Sequence, residues 1–274
     1  MNHIVLIILD SCRFDSFVES RCRFLLSLPT QPQLRYSYAS WTAPSHYNLL
    51  MGLLPHTNPT NTYASELYTS EFRLWSDRIG SPLIDIKNFL PSLWLPTLLK
   101  SLGYETHARV SMPVLNPQTP LNRDFDDYIL QSNHNNLESI LNEVSLGSSP
   151  QFWLINTGET HYPYMLNDPS LPIVSGVHGA LKRLDRDLNL QNVSTDFTTE
   201  KLSYLHQAQR RSVKYVDKLI HDFTKRVPNN THIIVTSDHG ELFGEDGFFG
   251  HGPICHPAVN KVPFLEFYKS DVTI

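Results

Sequence analysis

The sequence has few cysteines and no long hydrophobic run. Its three cysteines, Cys12, Cys22 and Cys255, are an odd number without the spacing of metal ligands, so we expect free thiols in a reducing compartment. No segment approaches the roughly 18 apolar residues that a membrane-spanning helix needs. The N-terminal stretch HIVLIILD has an apolar core of only about six residues, whereas a signal peptide has about 7–15 after a basic start. A cytoplasmic protein without a membrane span is therefore predicted.

Basic side chains are also scarce. Lys and Arg number 22 against 27 Asp and Glu, and the formal net charge of −5 argues against a nucleic-acid-binding protein, which is normally basic. Hydrophobic residues make up 41% and charged residues 18% of the 274, which are globular values. That length suits one large α/β domain with a sizeable core. Since no repeat or linker is evident, residues 1–274 are expected to form a single domain.

Apolar runs and helical periodicity alternate along the chain. The predicted strands are Ile4–Leu9, Glu105–Val110, Phe152–Asn156, His232–Thr236 and Val262–Tyr268. The predicted helices are Ala43–Leu54, Leu93–Leu102, Leu137–Val144 and Thr199–Arg226. This alternation predicts an α/β fold with a central, mostly parallel sheet sandwiched between helices. Residues 55–92 and 163–198 are rich in Pro, Asn, Ser and Thr, so they are predicted to be long functional loops.

Acidic and histidine side chains follow two of the predicted strands. Asp10 comes directly after the first strand, and the segment SDHGELFGEDGFFGHG places Asp238 and His239 after the strand that ends at Thr236. A single Asp after a strand is often a turn or cap residue. Because ligands of such sheets bind at the carboxyl ends of the strands, Asp10 and the Asp238–His239 pair are expected at one rim. Carboxylate oxygen and imidazole nitrogen together suit a divalent transition metal.

A threonine precedes the first long predicted helix. In SWTAPSHYNLLMG, Thr42 lies just before Ala43 and Pro44. It could simply cap the helix. Alternatively its hydroxyl is a nucleophile at the helix N-terminus, where free N–H groups favour an anion and a coordinated cation activates the hydroxyl.

Four segments, taken in order, resemble the signatures of the alkaline phosphatase superfamily in its sulfatase-like branch. They are DSCRFD from Asp10, TAPSH from Thr42, THYPY from Thr160 and DHGE from Asp238. The connecting stretches LPTLLKSLGYETH and RRSVKYVDKLIHDF also resemble that family, so the likeness spans nearly the whole chain. It implies an alkaline-phosphatase-like sheet between helices, with the smaller C-terminal subdomain reduced or absent.

Departures from the sulfatase pattern narrow the resemblance. Sulfatases oxidise a Cys or Ser to an aldehyde hydrate and follow it with Pro and Arg, whereas this chain has Thr42 there and His46 in the place of the Arg. Oxidation of a threonine would give a ketone, not the aldehyde. The paired Asp of sulfatases is replaced by Asp10 and Ser11. The chain is more similar to phosphonate monoester hydrolases, phosphodiesterases and the catalytic domain of phosphoethanolamine transferases, in which an unmodified Thr attacks phosphorus.

The resemblance also implies a set of site residues. Asp10, Thr42, Asp238 and His239 would bind a first divalent metal, Zn²⁺ or Mn²⁺. His161 would face the phosphoryl oxygens or hold a second metal, together with His251, which stands at the fourteenth position counted from Asp238, where sulfatases have a Lys. The substrate pocket is expected to include His46, Asn156 and Tyr164.

The expected activity is metal-dependent phosphoryl transfer to and from Thr42, most simply hydrolysis of a small-molecule phosphate ester. Three alternatives stay open at this point. One is a sulfate-ester hydrolase that uses Thr42 directly, and another is a soluble phosphoethanolamine-type transferase. The third is a catalytically silent member that binds a metal or an anion.

Overall fold

The main sheet has seven strands and is mostly parallel. A computed structural model describes residues 1–57, 61–81, 93–165, 181–184 and 197–272. The chain's strands, in order, are β1 (His3–Leu9), β2 (Gln33–Tyr36), β3 (Glu105–Val110), β4 (Asp127–Leu130), β5 (Gln151–Thr157), β6 (Lys182–Arg183), β7 (Thr231–Thr236), β8 (Leu242–Phe243), β9 (Phe248–Gly250) and β10 (Lys261–Tyr268). The main sheet has the order β2-β10-β7-β1-β5-β3-β4, and β6, β9 and β8 form a small second sheet. In the main sheet β10 is antiparallel to both of its neighbours, β2 and β7, and the other neighbouring strands are parallel, so the predicted mostly parallel α/β sheet is confirmed.

Helices cover both faces of the main sheet. They are α1 (Phe14–Glu19), α2 (Thr42–Leu50), α3 (Ala64–Ile79), α4 (Leu95–Ser101), α5 (Leu137–Glu143), α6 (Thr199–Thr224) and α7 (Pro257–Asn260). Alternate residues of β1 enter two different cores, because successive side chains of a strand point to opposite faces. Ile4 and its alternates pack with α2, α3 and α4, whereas Val5 and its alternates pack with α1, α5 and α6. The sheet is therefore buried on both sides.

Three parts of the sequence-based prediction need correction. The stretch 55–92 is not one long loop, since it contains the 16-residue helix α3, whose Phe72, Trp75 and Ile79 are buried. The helix predicted as Ala43–Leu54 begins one residue earlier and ends at Leu50. The short elements α1, β2 and β4 were not predicted at all. Much of the predicted loop 163–198 lies outside the described residues.

No helix among the described residues is long and apolar enough to cross a membrane.

Candidate active site

The predicted side chains lie at one edge of the main sheet, at the carboxyl ends of three neighbouring parallel strands. This edge is called the rim below. Strand β1 lies between β7 and β5, with Ile8 opposite Thr236 and Leu9 opposite Thr157. Asp10 follows β1 and donates its backbone N–H to Thr157 O at 3.0 Å. Asp238 and His239 follow β7, and His161 follows β5. The carboxyl ends of β7, β1 and β5 therefore form the floor of the site, as expected for ligand sites in such sheets.

Two carboxylates and one imidazole converge at this floor. One ligand atom each from Asp10, Asp238 and His239 lies within 4.8 Å of the others, and all three side chains are buried. His239 Nε2 is 3.4 Å from Asp238 Oδ2 and 3.9 Å from Asp10 Oδ1. The structure thus brings together three of the four residues that the sequence nominated as metal ligands, although Asp10 is more than two hundred positions from the other two.

The donor atoms of this group fit a divalent cation. Asp238 Oδ2 is buried and has no hydrogen-bond partner among the described residues, which is costly unless a cation or a proton binds it. His239 Nδ1 donates to Gly240 O at 2.9 Å, so its Nε2 carries the lone pair that a metal requires. Two carboxylates and an imidazole suit Zn²⁺ or Mn²⁺.

The two carboxylates have opposite pKa shifts. Burial, reinforced by the neighbouring Asp10, raises the pKa of Asp238 well above its ordinary value. Burial alone would also raise the pKa of Asp10, but the charges of His161 and His239 and a hydrogen bond from Asn156 lower it. Without a cation, one carboxylate of the pair therefore keeps a proton, because two buried negative charges repel each other.

Close packing next to the cluster of Asp10, Asp238 and His239, called the metal group below, requires a glycine at position 240. A Cβ at this position would lie 2.1 Å from Ala258 O, and Gly240 donates its N–H to Val259 O at 2.6 Å. Any side chain would push α7 away from the end of β7. This contact explains why glycine follows the Asp–His pair.

Thr42 is the first residue of α2, and its side chain does not cap the helix. The N-cap is Trp41, and neither residue makes a side-chain capping hydrogen bond. Instead Thr42 Oγ1 lies 3.2 Å from His239 Nε2, and Thr42 is only 5% exposed. The hydroxyl is thus at the N-terminus of α2 and next to the metal group, which excludes the simple capping role.

Two of the expected pocket residues contact the carboxylates directly. Asn156, in β5, donates to Asp10 Oδ2 at 2.9 Å and accepts from the backbone N–H of Ser111. His46 Nδ1 donates to Thr42 O at 2.8 Å and lies 3.8 Å from Asp238 Oδ2. Both side chains are buried. Asn156 holds the Asp10 carboxylate in place, and His46 lies against Asp238 and the first turn of α2.

His161 and His251 form the opposite wall. Their ring centroids are 5.2 Å apart, and the ring of His251 is 4.3 Å from that of His239. His161 Nδ1 donates to Tyr162 O at 2.7 Å, which leaves a lone pair on Nε2. Burial, and then the neighbouring His161, lower the pKa of His251 to about 3, so its imidazole is neutral near pH 7.

Glu241 and Ser11 were not assigned a role from the sequence. Glu241 Oε1 lies 3.3 Å from His251 Nδ1, and its other oxygen accepts the hydroxyl of the buried Tyr164. Burial raises the pKa of Glu241 to about 7, against the lowering effect of His161. Ser11 has a left-handed backbone, with φ at 61°, and donates its N–H to Asp238 Oδ1 at 3.2 Å. The acid two residues after His239 was the available sequence signal for Glu241.

Comparisons with known proteins agree with the fold. The family model described as Sulfatase matches residues 2–265, and no curated protein matches the sequence. The C-terminal periplasmic domain of EcEptC from Escherichia coli, in complex with Zn, is 17% identical with a TM-score of 0.52, over 97% of this chain and 72% of that one. A protein in the alkaline phosphatase superfamily from Vibrio parahaemolyticus is 16% identical with a TM-score of 0.53, over 97% and 60% respectively. The soluble domain of lipooligosaccharide phosphoethanolamine transferase A from Neisseria meningitidis is 12% identical with a TM-score of 0.52, over 97% and 76%. At these identities the likeness establishes a shared alkaline-phosphatase-like fold.

Proposed function

Because the chain belongs to the sulfatase family, within the alkaline phosphatase superfamily, we propose that it is a metal-dependent phosphoester hydrolase that works through a covalent phospho-Thr42 intermediate. The observation that carries the proposal is the position of the Thr42 hydroxyl, 3.2 Å from His239 Nε2 at the edge of the Asp10–Asp238–His239 group. A threonine cannot supply the aldehyde that sulfatases use, so the hydroxyl itself is the nucleophile.

Asp10, Asp238, His239 and Thr42 Oγ1 are the residues that would hold the first metal. Bound Zn²⁺ or Mn²⁺ would lower the pKa of the Thr42 hydroxyl and neutralise a non-bridging phosphoryl oxygen. The free N–H groups at the start of α2 favour the same anionic group, and burial of the whole rim strengthens each of these interactions. Asn156 and His46 keep the carboxylates and the first turn of α2 in place.

The reaction takes two displacements at phosphorus. In the first, Thr42 Oγ1 bonds to phosphorus while the bond to the leaving oxygen breaks, and the Thr42 proton passes to the leaving group through the surrounding imidazoles. In the second, water attacks phospho-Thr42, Thr42 regains a proton and phosphate leaves. His161 and His251 are assigned to this second step. Nε2 of His161 has the free lone pair that can accept the proton of the attacking water, and the ring of His251 lies beside it, with centroids 5.2 Å apart. A second cation on these two imidazoles would serve the same purpose.

Turnover of nitrophenyl phosphate, bis(nitrophenyl) phosphate and nitrophenyl sulfate in the presence of Zn²⁺ or Mn²⁺ tests the proposal. We expect phosphoester turnover to exceed sulfate-ester turnover, and Thr42→Ala to lose several orders of magnitude in kcat while it still binds the metal through three ligands. Thr42→Ser is the matched control, because it keeps the hydroxyl and should retain measurable activity. Faster turnover of the sulfate ester than of every phosphoester would contradict the proposal, and so would full activity in Thr42→Ala.

A further inference from the structure

A cleft separate from the proposed catalytic rim lies between α6 and the segment 23–29. Its volume is about 700 Å³, within the range of sites that hold small organic ligands. Part of its lining is apolar, from Phe24, Leu28, Pro29 and Val272. The ring of His221 stacks on that of Phe24 with centroids 4.7 Å apart, which gives the cleft a firm aromatic wall.

Three cations line the same cleft and form no close ion pair with any described residue. Arg23, Lys214 and Lys218 are exposed, and no acidic side chain of the described residues lies within ion-pair distance of them. Other cations at this helix have contacts of their own: Arg210 is 2.5 Å from Glu19, Lys225 at the C-cap pairs with Asp222, and Arg211 lies over the ring of Tyr204. In a chain whose net charge is −5, this local excess of unpaired positive charge suits an anionic ligand.

The two acids of the lining, Asp217 and Asp271, offset part of this positive charge, but within the described residues they form no ion pair with the three cations. Asp217 is buried, and its carboxylate accepts the backbone N–H groups of Arg23, Phe24 and Leu25 at 2.9, 3.1 and 2.7 Å. That carboxylate therefore fixes the wall of the cleft rather than pairing with a lysine. The other acid, Asp271, is exposed and accepts from Ser270 Oγ.

The cleft is well separated from the metal group along α6. Gln209 Nε2 donates to Ser11 O and Thr160 O at 2.8 and 3.0 Å, which places this end of α6 at the catalytic rim. Lys214 and Lys218 are five and nine residues further on, or about 7.5 and 13.5 Å along the helix axis at 1.5 Å per residue. A ligand in the cleft therefore would not compete directly with one at Thr42.

We propose that this cleft binds an organic phosphate with an apolar body. The tetrahedral dianion would lie among Arg23, Lys214 and Lys218, and the apolar body would pack against Phe24 and Leu28. The same phosphate chemistry can come from a soluble metabolite or from the headgroup of a phospholipid. The inference does not depend on the proposed hydrolase activity, because none of these residues belongs to the catalytic rim.

Titration of the full chain with phenylphosphonate, followed by the NMR shifts of backbone amides, tests the proposal. We expect saturable shifts in residues 23–29 and 214–221, separate from any shifts at the catalytic rim. Lys218→Glu should raise the Kd measured at the cleft at least about fivefold, because it replaces attraction by repulsion. Arg73→Glu, which makes the same charge change at an exposed position of α3, should leave that Kd unchanged.

Sedimentation with vesicles that contain phosphatidylglycerol distinguishes the two sources of phosphate. Sedimentation that is lost in Lys218→Glu assigns the ligand to a lipid headgroup, whereas cleft shifts without sedimentation assign it to a soluble phosphate. The proposal is overturned if phenylphosphonate gives no saturable shift in the cleft, or if Lys218→Glu and Arg73→Glu have the same effect.

Discussion

At the scale of single residues, each imidazole of the site has a hydrogen-bond partner at Nδ1, but the partner differs between them. His239 and His161 each donate Nδ1–H to a backbone carbonyl, and this fixes the proton on the nitrogen away from the reacting group. His251 has a carboxylate beside its Nδ1, from Glu241, instead of a carbonyl. A hydrogen bond at Nδ1 orients the imidazole and sets the basicity of Nε2. It therefore decides whether Nε2 binds a cation or transfers a proton.

His251 should therefore affect turnover more than substrate binding. We predict that His251→Ala lowers kcat for a phosphodiester by more than it raises KM, because the lost interaction develops in the transition state. His251→Lys should shift the ratio of phosphate to sulfate turnover towards sulfate, since a fixed cation replaces a neutral ligand or proton acceptor. Steady-state kinetics on matched nitrophenyl esters give both results. A rise in KM with unchanged kcat in His251→Ala would assign this side chain to ground-state binding instead.

The sequence identified the residues of the rim better than it identified their supports. Asp10, Asp238 and His239 stand directly after buried strands, and the topology of a parallel sheet brings such positions together. Ser11 contributes through its left-handed backbone, and Glu241 contributes through its contact with His251, ten residues later. Neither feature produces a periodic pattern in the sequence. Such contacts become visible only when the chain is folded.

At the scale of secondary-structure elements, central strands were predictable and edge elements were not. The buried runs of β1, β3 and β7 are apolar enough to be recognised. Strands β2 and β4 have four residues each, lie at the two edges of the sheet and are partly exposed. Edge strands need fewer apolar residues, so their pattern is weak.

Helix α3 was missed for a different reason. Its buried face carries the charged residues Glu71 and Arg78 next to Phe72 and Trp75, so the apolar stripe is interrupted. Those charges are compensated within the helix and by the sheet, because Arg78 lies 2.6 Å from Glu71 of the same helix and 2.8 Å from Glu266 in β10. The charged residues that form these ion pairs interrupt the apolar periodicity of α3, so the sequence pattern does not indicate a helix.

This buried network predicts a loss of stability in acid. Burial alone would raise the pKa of Glu266, but a hydrogen bond from His232 and the charge of Arg78 lower it to about 2 from 4.5. A carboxylate whose pKa is lower in the folded state stabilises the protein above pH 4.5, and this contribution is lost as the pH falls from 4.5 towards 2. We expect Glu266→Gln to be less stable than the wild type at pH 6 and to lose less stability between pH 6 and pH 3, by about 1–3 kcal/mol.

Urea denaturation of the metal-free protein at the two pH values measures this difference. Glu143→Gln is a suitable control, because the Glu143 carboxylate is exposed and its partner Arg109, at 2.8 Å, keeps a second ion pair with Asp127. This change should cost less than about 1 kcal/mol. If the free energy of unfolding changes equally with pH in the wild type and in Glu266→Gln, then protonation of Glu266 does not contribute to the acid destabilisation.

At the scale of the whole molecule, the rim joins parts of the chain that are distant in sequence. The proposed metal ligands come from the ends of β1 and β7 and from the start of α2. A cation bound by all three would therefore oppose unfolding of the entire sheet. The single-domain organisation and the cytoplasmic location expected from the sequence stay predictions.

Metal binding should accordingly raise global stability. At a concentration of about 100 times its Kd, Zn²⁺ or Mn²⁺ is expected to add about 2.7 kcal/mol to the free energy of unfolding of chelator-treated protein. For a chain of this size that corresponds to an increase in Tm of about 5–10 °C. Asp238→Asn should abolish most of the increase, whereas Asp246→Asn, at an exposed acid outside the rim, should retain it. Equal increases in both variants would place the metal elsewhere.

The most direct test of the central claim is to trap the covalent intermediate. The metal-loaded enzyme is mixed with bis(nitrophenyl) phosphate, quenched in acid within the first turnovers and digested for mass spectrometry. The account predicts a nitrophenylphosphoryl adduct on the Thr42 side chain, formed as one nitrophenolate leaves. This adduct should be present in the wild type and absent from Thr42→Ala. Rapid turnover with no adduct on Thr42 at any quench time, together with unchanged activity in Thr42→Ala, would contradict it.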